Sequence, residues 1–168
     1  DIEVIGELQQ LKFLSLREIK TKNIDFLKSL KNLNELWISL GSYENIDGIQ
    51  FIKNLNKLSI HQIRGIDNET LNNVISKCHS ITAIELQNLK NLNSLNFAEK
   101  LEHLNYLRLD TNKNIESYNP ILKSKSLKTI STTSSRPIDK NINYLKNIEN
   151  IFLGDSYSKN EIEDFITT

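Results

Sequence analysis

Leucine and isoleucine recur along this chain in a six-residue pattern, L-x-x-L-x-L, in which x is most often polar. The seven copies are LKFLSL from Leu11, LNELWI from Leu33, LNKLSI from Leu55, ITAIEL from Ile81, LNYLRL from Leu104, LKTIST from Leu127 and IENIFL from Ile148. Their starts are 22, 22, 26, 23, 23 and 21 residues apart. A phase held over so many copies predicts a stack of similar structural units, one for each copy. Only the sixth copy departs from the pattern, because Thr132 occupies its last apolar position.

The segments between the copies carry a second apolar pattern. Three apolar residues recur in several of them, as Ile24, Leu27 and Leu30, then as Ile46, Ile49 and Ile52, and with a slightly different offset as Ile142, Leu145 and Ile148. The first ten residues fit the same pattern, with Ile2, Ile5 and Leu8 lying 22 residues before Ile24, Leu27 and Leu30. Residues 1–10 are therefore interpreted as the second half of a repeat whose strand is missing. We expect an incompletely capped N-terminal end in a fragment or mature product of a longer protein, and the alternative is that these residues are a native N-terminal cap.

These features resemble the leucine-rich repeat family over nearly the whole chain. The short copies are similar to the 22-residue bacterial type. The third copy, with IDNETLNNVISKCHSIT, is similar to the 26-residue cysteine-containing type, and it predicts a helix capped by Asp67 or Asn68, with Cys78 in the core. The resemblance implies an α/β solenoid, a curved horseshoe segment with a parallel sheet on its concave side and short helices or turns on its convex side.

The chain is accordingly predicted to be a single leucine-rich-repeat domain over residues 1–168. Residues 1–10 form a partial repeat, and the seven full repeats start at 11, 33, 55, 81, 104, 127 and 148, the last one including a C-terminal cap. One departure concerns the ninth position of each copy, where the family usually places Asn or Cys. The first four copies have Ile19, Gly41, Ile63 and Leu89 there, whereas the later copies have Asn112, Ser135 and Ser156. A less regular turn is therefore expected in the first four copies.

The candidate binding residues lie on the predicted concave face. Strand alternation points the third, fifth and seventh residue of each copy to that face, including Trp37, the only tryptophan. Aromatic and arginine side chains are enriched at protein interfaces, so this face predicts a protein partner. The predicted partner-binding residues are Phe13, Arg17, Glu35, Trp37, Lys57, His61, Glu85, Tyr106, Arg108 and Asp110. Alternatively, some aromatic residues only cover strand ends, and Phe152 lies under a helix that starts near Ser158.

The charge balance and the cysteine content narrow the classes of partner and location. The 21 basic and 21 acidic residues cancel, which argues against a nucleic acid or an anionic membrane surface as partner. The apolar runs are too short to span a bilayer, so no membrane insertion is expected. A lone Cys78 excludes an intrachain disulfide and favours a reducing, cytoplasmic location. Because the sequence starts with Asp1 rather than Met, a secreted or cell-surface location stays open.

No arrangement of residues in the sequence predicts catalysis. His61, His79 and His103 occupy different positions of their repeats, so converging metal ligands are not expected, and no nucleophile or phosphate-binding motif is present. No cofactor and no small-molecule substrate is therefore expected. The sequence favours a non-catalytic protein-interaction module: a microbial effector, a surface protein or an immunity protein that neutralises a toxin. The alternative is the substrate-recognition or targeting arm of a larger enzyme whose catalytic domain lies outside this chain.

Overall fold

The computed structural model describes residues 2–167. Its main feature is a sheet of parallel strands. The strands are β1 (Phe13–Arg17), β2 (Lys20–Thr21), β3 (Glu35–Ser39), β4 (Ser42–Tyr43), β5 (Lys57–His61), β6 (Ala83–Gln87), β7 (Tyr106–Asp110), β8 (Thr129–Thr133) and β9 (Asn150–Leu153). The main sheet has seven strands in the order β1-β3-β5-β6-β7-β8-β9, and β2 pairs with β4 in a separate small sheet. All these pairs are parallel. The prediction of a parallel sheet with one strand from each copy is confirmed.

Short helices connect the strands on the opposite side of the core. They are the 3-10 helices η1 (Ile2–Glu7), η2 (Asp25–Ser29), η3 (Asp47–Phe51), η4 (Asn96–Glu99), η5 (Asn119–Lys123) and η6 (Ile142–Leu145), and the α-helices α1 (Asn68–Ser76) and α2 (Lys159–Thr167). From η1 to η6, each helix packs against the helix of the next repeat. Only the longest repeat spacing, between the third and fourth copies, has room for the α-helix α1.

The core is formed by the apolar positions that define the repeat. In the second copy, Leu33, Leu36 and Ile38 are at most 1% exposed, whereas Trp37 between them is 41% exposed. Thr132, which breaks the sequence pattern, is nevertheless fully buried at its core position. At the N-terminal end, η1 contains no buried residue, and Leu14 in the edge strand β1 is only half-buried. The apolar side chains are therefore sealed most completely where a repeat lies on both sides.

Helix α1 begins where the sequence predicts. The Asp67 side chain caps it by accepting a hydrogen bond of 2.7 Å from the Thr70 backbone N–H. Its inner face buries Leu71, Val74 and Ile75. Cys78, just beyond the helix, is 3% exposed, and burial raises the pKa of its thiol to about 12. Cys78 is therefore a core residue in its uncharged form, and the predictions for α1 and Cys78 are confirmed.

The Asp67 cap predicts a specific acid sensitivity. The hydrogen bond from the Thr70 backbone N–H lowers the pKa of Asp67 from 3.8. A carboxylate whose pKa is lower in the folded chain than in the unfolded chain stabilises the fold at a pH above its unfolded-state pKa. This contribution is lost as the pH falls through its folded-state pKa. Asparagine also caps helices but does not titrate. We therefore expect Asp67→Asn to lose less unfolding free energy than the wild type between about pH 5 and about pH 2.

Urea denaturation at several pH values measures this difference. All other carboxylates are common to both proteins, so the difference between the two curves isolates Asp67. Asp67→Ala serves as the control that removes the cap, and it should be less stable than both at neutral pH. Parallel curves for the wild type and Asp67→Asn would contradict the prediction.

The turn after each main strand is more regular than the ninth-position residues indicate. The eighth residue adopts a positive φ of 49–58° in each of the first six copies, at Glu18, Leu40, Gln62, Asn88, Thr111 and Ser134. In the first three copies, backbone pairing between β2 and β4 and the bridge from Ser42 to Arg64 connect neighbouring turns. From the fourth copy onward, the buried Asn112 and Ser135 connect them through their side chains. The expectation of a less regular turn in the first four copies is wrong, because backbone hydrogen bonds join the turns of the first three copies and the Asn112 side chain binds the turn of the fourth.

Candidate functional site

The candidate site lies on the face of the main sheet that points away from the core, called here the open face. The register pairs Phe13 with Glu35, Ser15 with Trp37 and Arg17 with Ser39, and the same alignment continues through the later strands. The third, fifth and seventh residues of successive copies therefore form three columns across the sheet. The ten candidate residues all belong to these columns. This placement follows from the strand period. The sequence predicts that this face is the concave side of the solenoid.

Trp37 lies within a group of interacting side chains. The rings of Phe13 and Trp37 meet edge to face, with centroids 5.6 Å apart and an interplanar angle of 76°. The Trp37 Nε1–H donates a hydrogen bond of 2.7 Å to Glu35 Oε1. The Lys57 ammonium lies 5.4 Å from the centroid of the Trp37 ring, within the range of a cation–π interaction. These residues, together with Glu85, form the tryptophan cluster.

Lys57 connects the two sides of the tryptophan cluster. Its Nζ lies 2.9 Å from Glu85 Oε1 and 3.7 Å from Glu35 Oε1. The hydrogen bond to Glu85 raises the pKa of Lys57 against the opposing effect of burial, and the charges of Glu85 and Glu35 add to the rise. Lys57 is therefore held in its charged form between carboxylates from the two neighbouring strands. Since Lys57 and Glu35 both contact Trp37, the indole is restrained before any partner arrives.

Arg108 and Asp110 form a second group on the open face. Their side chains approach to 3.2 Å between Nη2 and Oδ2, and Asp110 Oδ1 also accepts a hydrogen bond of 2.8 Å from the Thr111 hydroxyl. The Asp110 side chain is 13% exposed, whereas that of Arg108 is 46% exposed. The register places Arg108 directly beside Glu85, whose carboxylate binds Lys57. Arg108 is therefore oriented by Asp110 and still presents guanidinium N–H groups to solvent.

The remaining candidates are not part of either group. Arg17 contacts Glu18 at 3.2 Å in the edge strand, and both side chains are largely exposed. His61 and Tyr106 are half-buried on the open face. Within residues 2–167, these three candidates share no hydrogen bond, ion pair or ring contact with the tryptophan cluster or with Arg108 and Asp110. The structure thus brings five of the candidates together, Trp37 and four others, and places two more as a neighbouring pair.

Phe152 is a further exposed aromatic residue on the open face. The helix predicted near Ser158 is present as α2, and Ser158 and Glu161 form the expected capping box. An ion pair from Arg136 to Glu161 attaches α2 to the sixth repeat. Phe152 is nevertheless 61% exposed, so α2 does not cover it, and this alternative is wrong. Phe152 occupies the fifth position of its copy, which strand alternation turns to the open face, but the set of candidate residues does not include it.

Residues 2–167 contain neither a group of side chains placed to bind a metal ion nor a helix suited to cross a membrane. Among residues 2–167, no group of three or more His, Cys, Asp or Glu side chains is placed to hold a metal ion. Glu85 and Asp110 are each engaged by a basic side chain. No helix in this part of the chain combines the length and the apolar character that crossing a bilayer requires. The open face presents aromatic rings and charged side chains that are held by ion pairs.

Comparison with known proteins detects the fold but no sequence family. No protein-family model matches the sequence, and no curated protein matches it. Among solved structures, internalin C2 of Listeria monocytogenes str. 4b F2365 is 18% identical, with a TM-score of 0.68 over 88% of this chain and 63% of that chain. Internalin inlF of the same strain is 17% identical, with a TM-score of 0.63 over 92% of this chain and 51% of that chain.

A third solved structure with the same architecture is that of a TLR13–ssRNA13 complex. It is 15% identical, with a TM-score of 0.60 over 94% of this chain and 27% of that chain. The chain thus spans less than two thirds of each of these three matched chains. Identities at this level establish the fold alone. Together with the parallel sheet of one short strand per copy, they show that the chain has the leucine-rich-repeat fold, an α/β solenoid.

Proposed function

We propose that this chain is a protein-binding module, without catalytic activity of its own, that binds its partner through the open face. The observation that carries the proposal is the tryptophan cluster, in which an indole 41% exposed is held by neighbours on both sides. Large aromatic residues that dock into a partner supply much of the binding energy of protein interfaces. Binding costs less when the side chain is already ordered. Trp37 is large, exposed and already held by its neighbours, and we infer that Arg108 is a second anchor on the same face.

The charges on the open face favour a protein over a nucleic acid. The candidate set has three basic and three acidic residues, Arg17, Lys57 and Arg108 against Glu35, Glu85 and Asp110. Lys57 and Arg108 already bind carboxylates of the same face. Nucleic-acid binding depends on basic groups that neutralise phosphates. A face with mixed and internally paired charges fits a protein surface better, because such a surface also carries charges of both signs.

Within this proposal, we place the module in a microbial protein. The short repeats are similar to the bacterial type, and two of the structures that share the fold are Listeria internalins. An effector, a surface protein and a toxin-neutralising immunity protein all use such a binding face. The second candidate is the substrate-recognition or targeting arm of a larger enzyme, which would use the same open face. A catalytic domain in the full-length gene would support the arm, and a toxin gene beside a short reading frame would support immunity.

Oxidative footprinting of the bound complex tests the proposed face. The partner is first isolated by affinity capture from the lysate of the source cells and identified by mass spectrometry. Free and bound chains are then exposed to hydroxyl radicals, and side-chain oxidation is quantified for each peptide. We expect Trp37 and Phe13 to be protected by the partner. Phe51, 50% exposed on the helical side, is the internal control and should be oxidised equally in both states. Protection of Phe51 with unchanged oxidation of Trp37 would reject the open face as the binding surface.

A further inference from the structure

Basic residues recur at the tenth position of the repeats, just after the turn that ends each main strand. They are Lys20, Arg64, Lys90, Lys113 and Arg136, in five of the seven copies. The β2–β4 pair aligns Lys20 with Ser42, and the bridge aligns Ser42 with Arg64. Farther along, Asn112 accepts a hydrogen bond from the Leu89 N–H and thereby aligns the residues that precede Lys90 and Lys113. These basic residues therefore follow one edge of the solenoid, beside the open face.

Three of these residues stand in consecutive repeats without a counter-ion. Arg64, Lys90 and Lys113 are exposed, and in residues 2–167 their side chains form no ion pair. Arg136 differs, because it is half-buried, paired with Glu161 and placed 5.6 Å from the centroid of the Tyr157 ring. Arg136 thus attaches α2 to the repeats. Arg64, Lys90 and Lys113 are called here the basic edge.

A polar cleft lies between the first two residues of the basic edge. It has a volume of about 380 Å³, and its polar lining comes from Gln62, Arg64, Asn88, Lys90 and Asn91. Gly65 has φ +88°, and a Cβ atom there would overlap the Tyr43 carbonyl oxygen. The turn therefore requires glycine, and no side chain projects into the cleft from this position. Asn91 donates a hydrogen bond to the Ile66 carbonyl oxygen, whereas the amides of Gln62 and Asn88 and the cations of Arg64 and Lys90 line the same opening, which suits a carboxylate ligand.

We propose that the basic edge docks an extended, acidic segment of a protein partner. Neighbouring parallel strands are about 5 Å apart, so Arg64 and Lys113 are separated by roughly 10 Å. In an extended peptide every second side chain points to the same side, about 6.6 Å from the next one, and neighbouring cations of the basic edge are about 5 Å apart. Carboxylates at every second residue can therefore reach successive cations, because Lys and Arg side chains are long. Asp67 and Glu69 line a neighbouring opening with Lys90. Within residues 2–167 neither carboxylate forms an ion pair with a residue of the basic edge, so these cations stay available to the carboxylates of a partner.

An acidic polypeptide fits this edge better than a single-stranded nucleic acid. Proteins that bind single strands combine positive charge with exposed aromatic rings on which bases stack. Within the eighth to eleventh positions of the first six copies, the only aromatic residue is Tyr43, and it is 1% exposed. The basic edge therefore offers charge and amide groups without a stacking surface. This surface is separate from the tryptophan cluster, so the proposal stands independently of the function proposed for the open face.

Fluorescence anisotropy with a labelled acidic peptide tests the basic edge. The probe is a twelve-residue peptide of alternating Glu and Ser at low salt, compared with its Gln and Ser counterpart. The test variant is Arg64→Gln, Lys90→Gln and Lys113→Gln combined. The matched control is Lys31→Gln, Lys53→Gln and Lys125→Gln combined, which removes three exposed, unpaired lysines that precede the strands. We expect the test variant to lose about tenfold in affinity through three weakened charge contacts, and the control to change less than about twofold.

Two further measurements keep the result decisive. Lys90→Glu alone should also weaken peptide binding, so the conclusion does not depend on the folding of the triple variant. Trp37→Ala should bind the peptide like the wild type, which separates the basic edge from the open face. Equal losses in the test and control variants would overturn the proposal, because net charge alone would then explain binding. A failure of the wild type to bind the peptide, or tighter binding of a twelve-nucleotide oligouridine, would overturn it as well.

Discussion

Trp37→Ala is expected to weaken partner binding by about 2 kcal/mol, roughly 30-fold, while the fold remains intact. The large effect on binding follows from the position of Trp37 in the cluster, where Phe13, Glu35 and Lys57 hold its ring at the surface. Stability should fall by less than about 1 kcal/mol, as is usual for exposed positions. Calorimetric titration with the captured partner and thermal denaturation of the free chain measure the two quantities separately.

Phe51→Ala is the matched control for this prediction. Phe51 is 50% exposed on the helical side and has a lysine, Lys28, over its ring at 4.9 Å. It reproduces the aromatic ring and the cation of the tryptophan cluster on a different surface. If the two variants weaken binding equally, the effect is not specific to the open face. If Trp37→Ala instead lowers the melting temperature by many degrees, Trp37 supports the fold rather than the interface.

Asn112→Ala is expected to destabilise the fold by about 2–4 kcal/mol, because it leaves buried backbone groups without partners. The Asn112 side chain accepts a hydrogen bond of 2.9 Å from the Leu89 N–H and donates one of 2.7 Å to the Leu86 carbonyl oxygen. Asn112 is fully buried, so water cannot replace these bonds without opening the turn. Urea denaturation measures the loss.

Asn114→Ala provides the comparison within the same repeat. Asn114 also donates a hydrogen bond to a backbone carbonyl, that of Lys90, but its side chain is exposed. Water can satisfy the groups that Asn114 leaves behind, so its loss should cost less than about 1 kcal/mol. Similar values for the two variants would show that the buried hydrogen bonds of Asn112 do not support the turn.

The fold was predictable because a strand has a period of two and the copies have a nearly constant length. These two regularities place Leu36 and Ile38 in the core and turn Trp37 outward, as observed. They also fix the register, since residues at equal positions of successive copies become neighbours. The helix α1 and its cap at Asp67 follow from a local motif that needs no knowledge of the neighbouring repeats.

The details that escaped prediction depend on contacts between repeats. The strand pattern identifies Lys57 as exposed, but it does not show that the Lys57 ammonium joins Glu85 to Glu35. The β2–β4 pairing is a backbone interaction, so the apolar side chain of Ile19 carried no signal for it. Phe152 stays exposed because α2 is held at Arg136 and Glu161 rather than over the final strand. In each case the outcome depends on the direction of a side chain or on a backbone contact, which repeat spacing leaves open.

The change of turn chemistry along the chain limits how the array can be lengthened or shortened. The first three copies join through backbone pairs at residues 20–21, 42–43 and 64, whereas the later copies join through the side chains of Asn112 and Ser135. A copy duplicated within the first group meets neighbours that offer the same backbone edge. A copy moved from the first group into the second lacks a polar side chain at its ninth position. The backbone N–H of the preceding copy would then lose its hydrogen-bond acceptor. The solenoid is therefore modular within each group, and the junction between the third and fourth copies is where recombination between groups becomes costly.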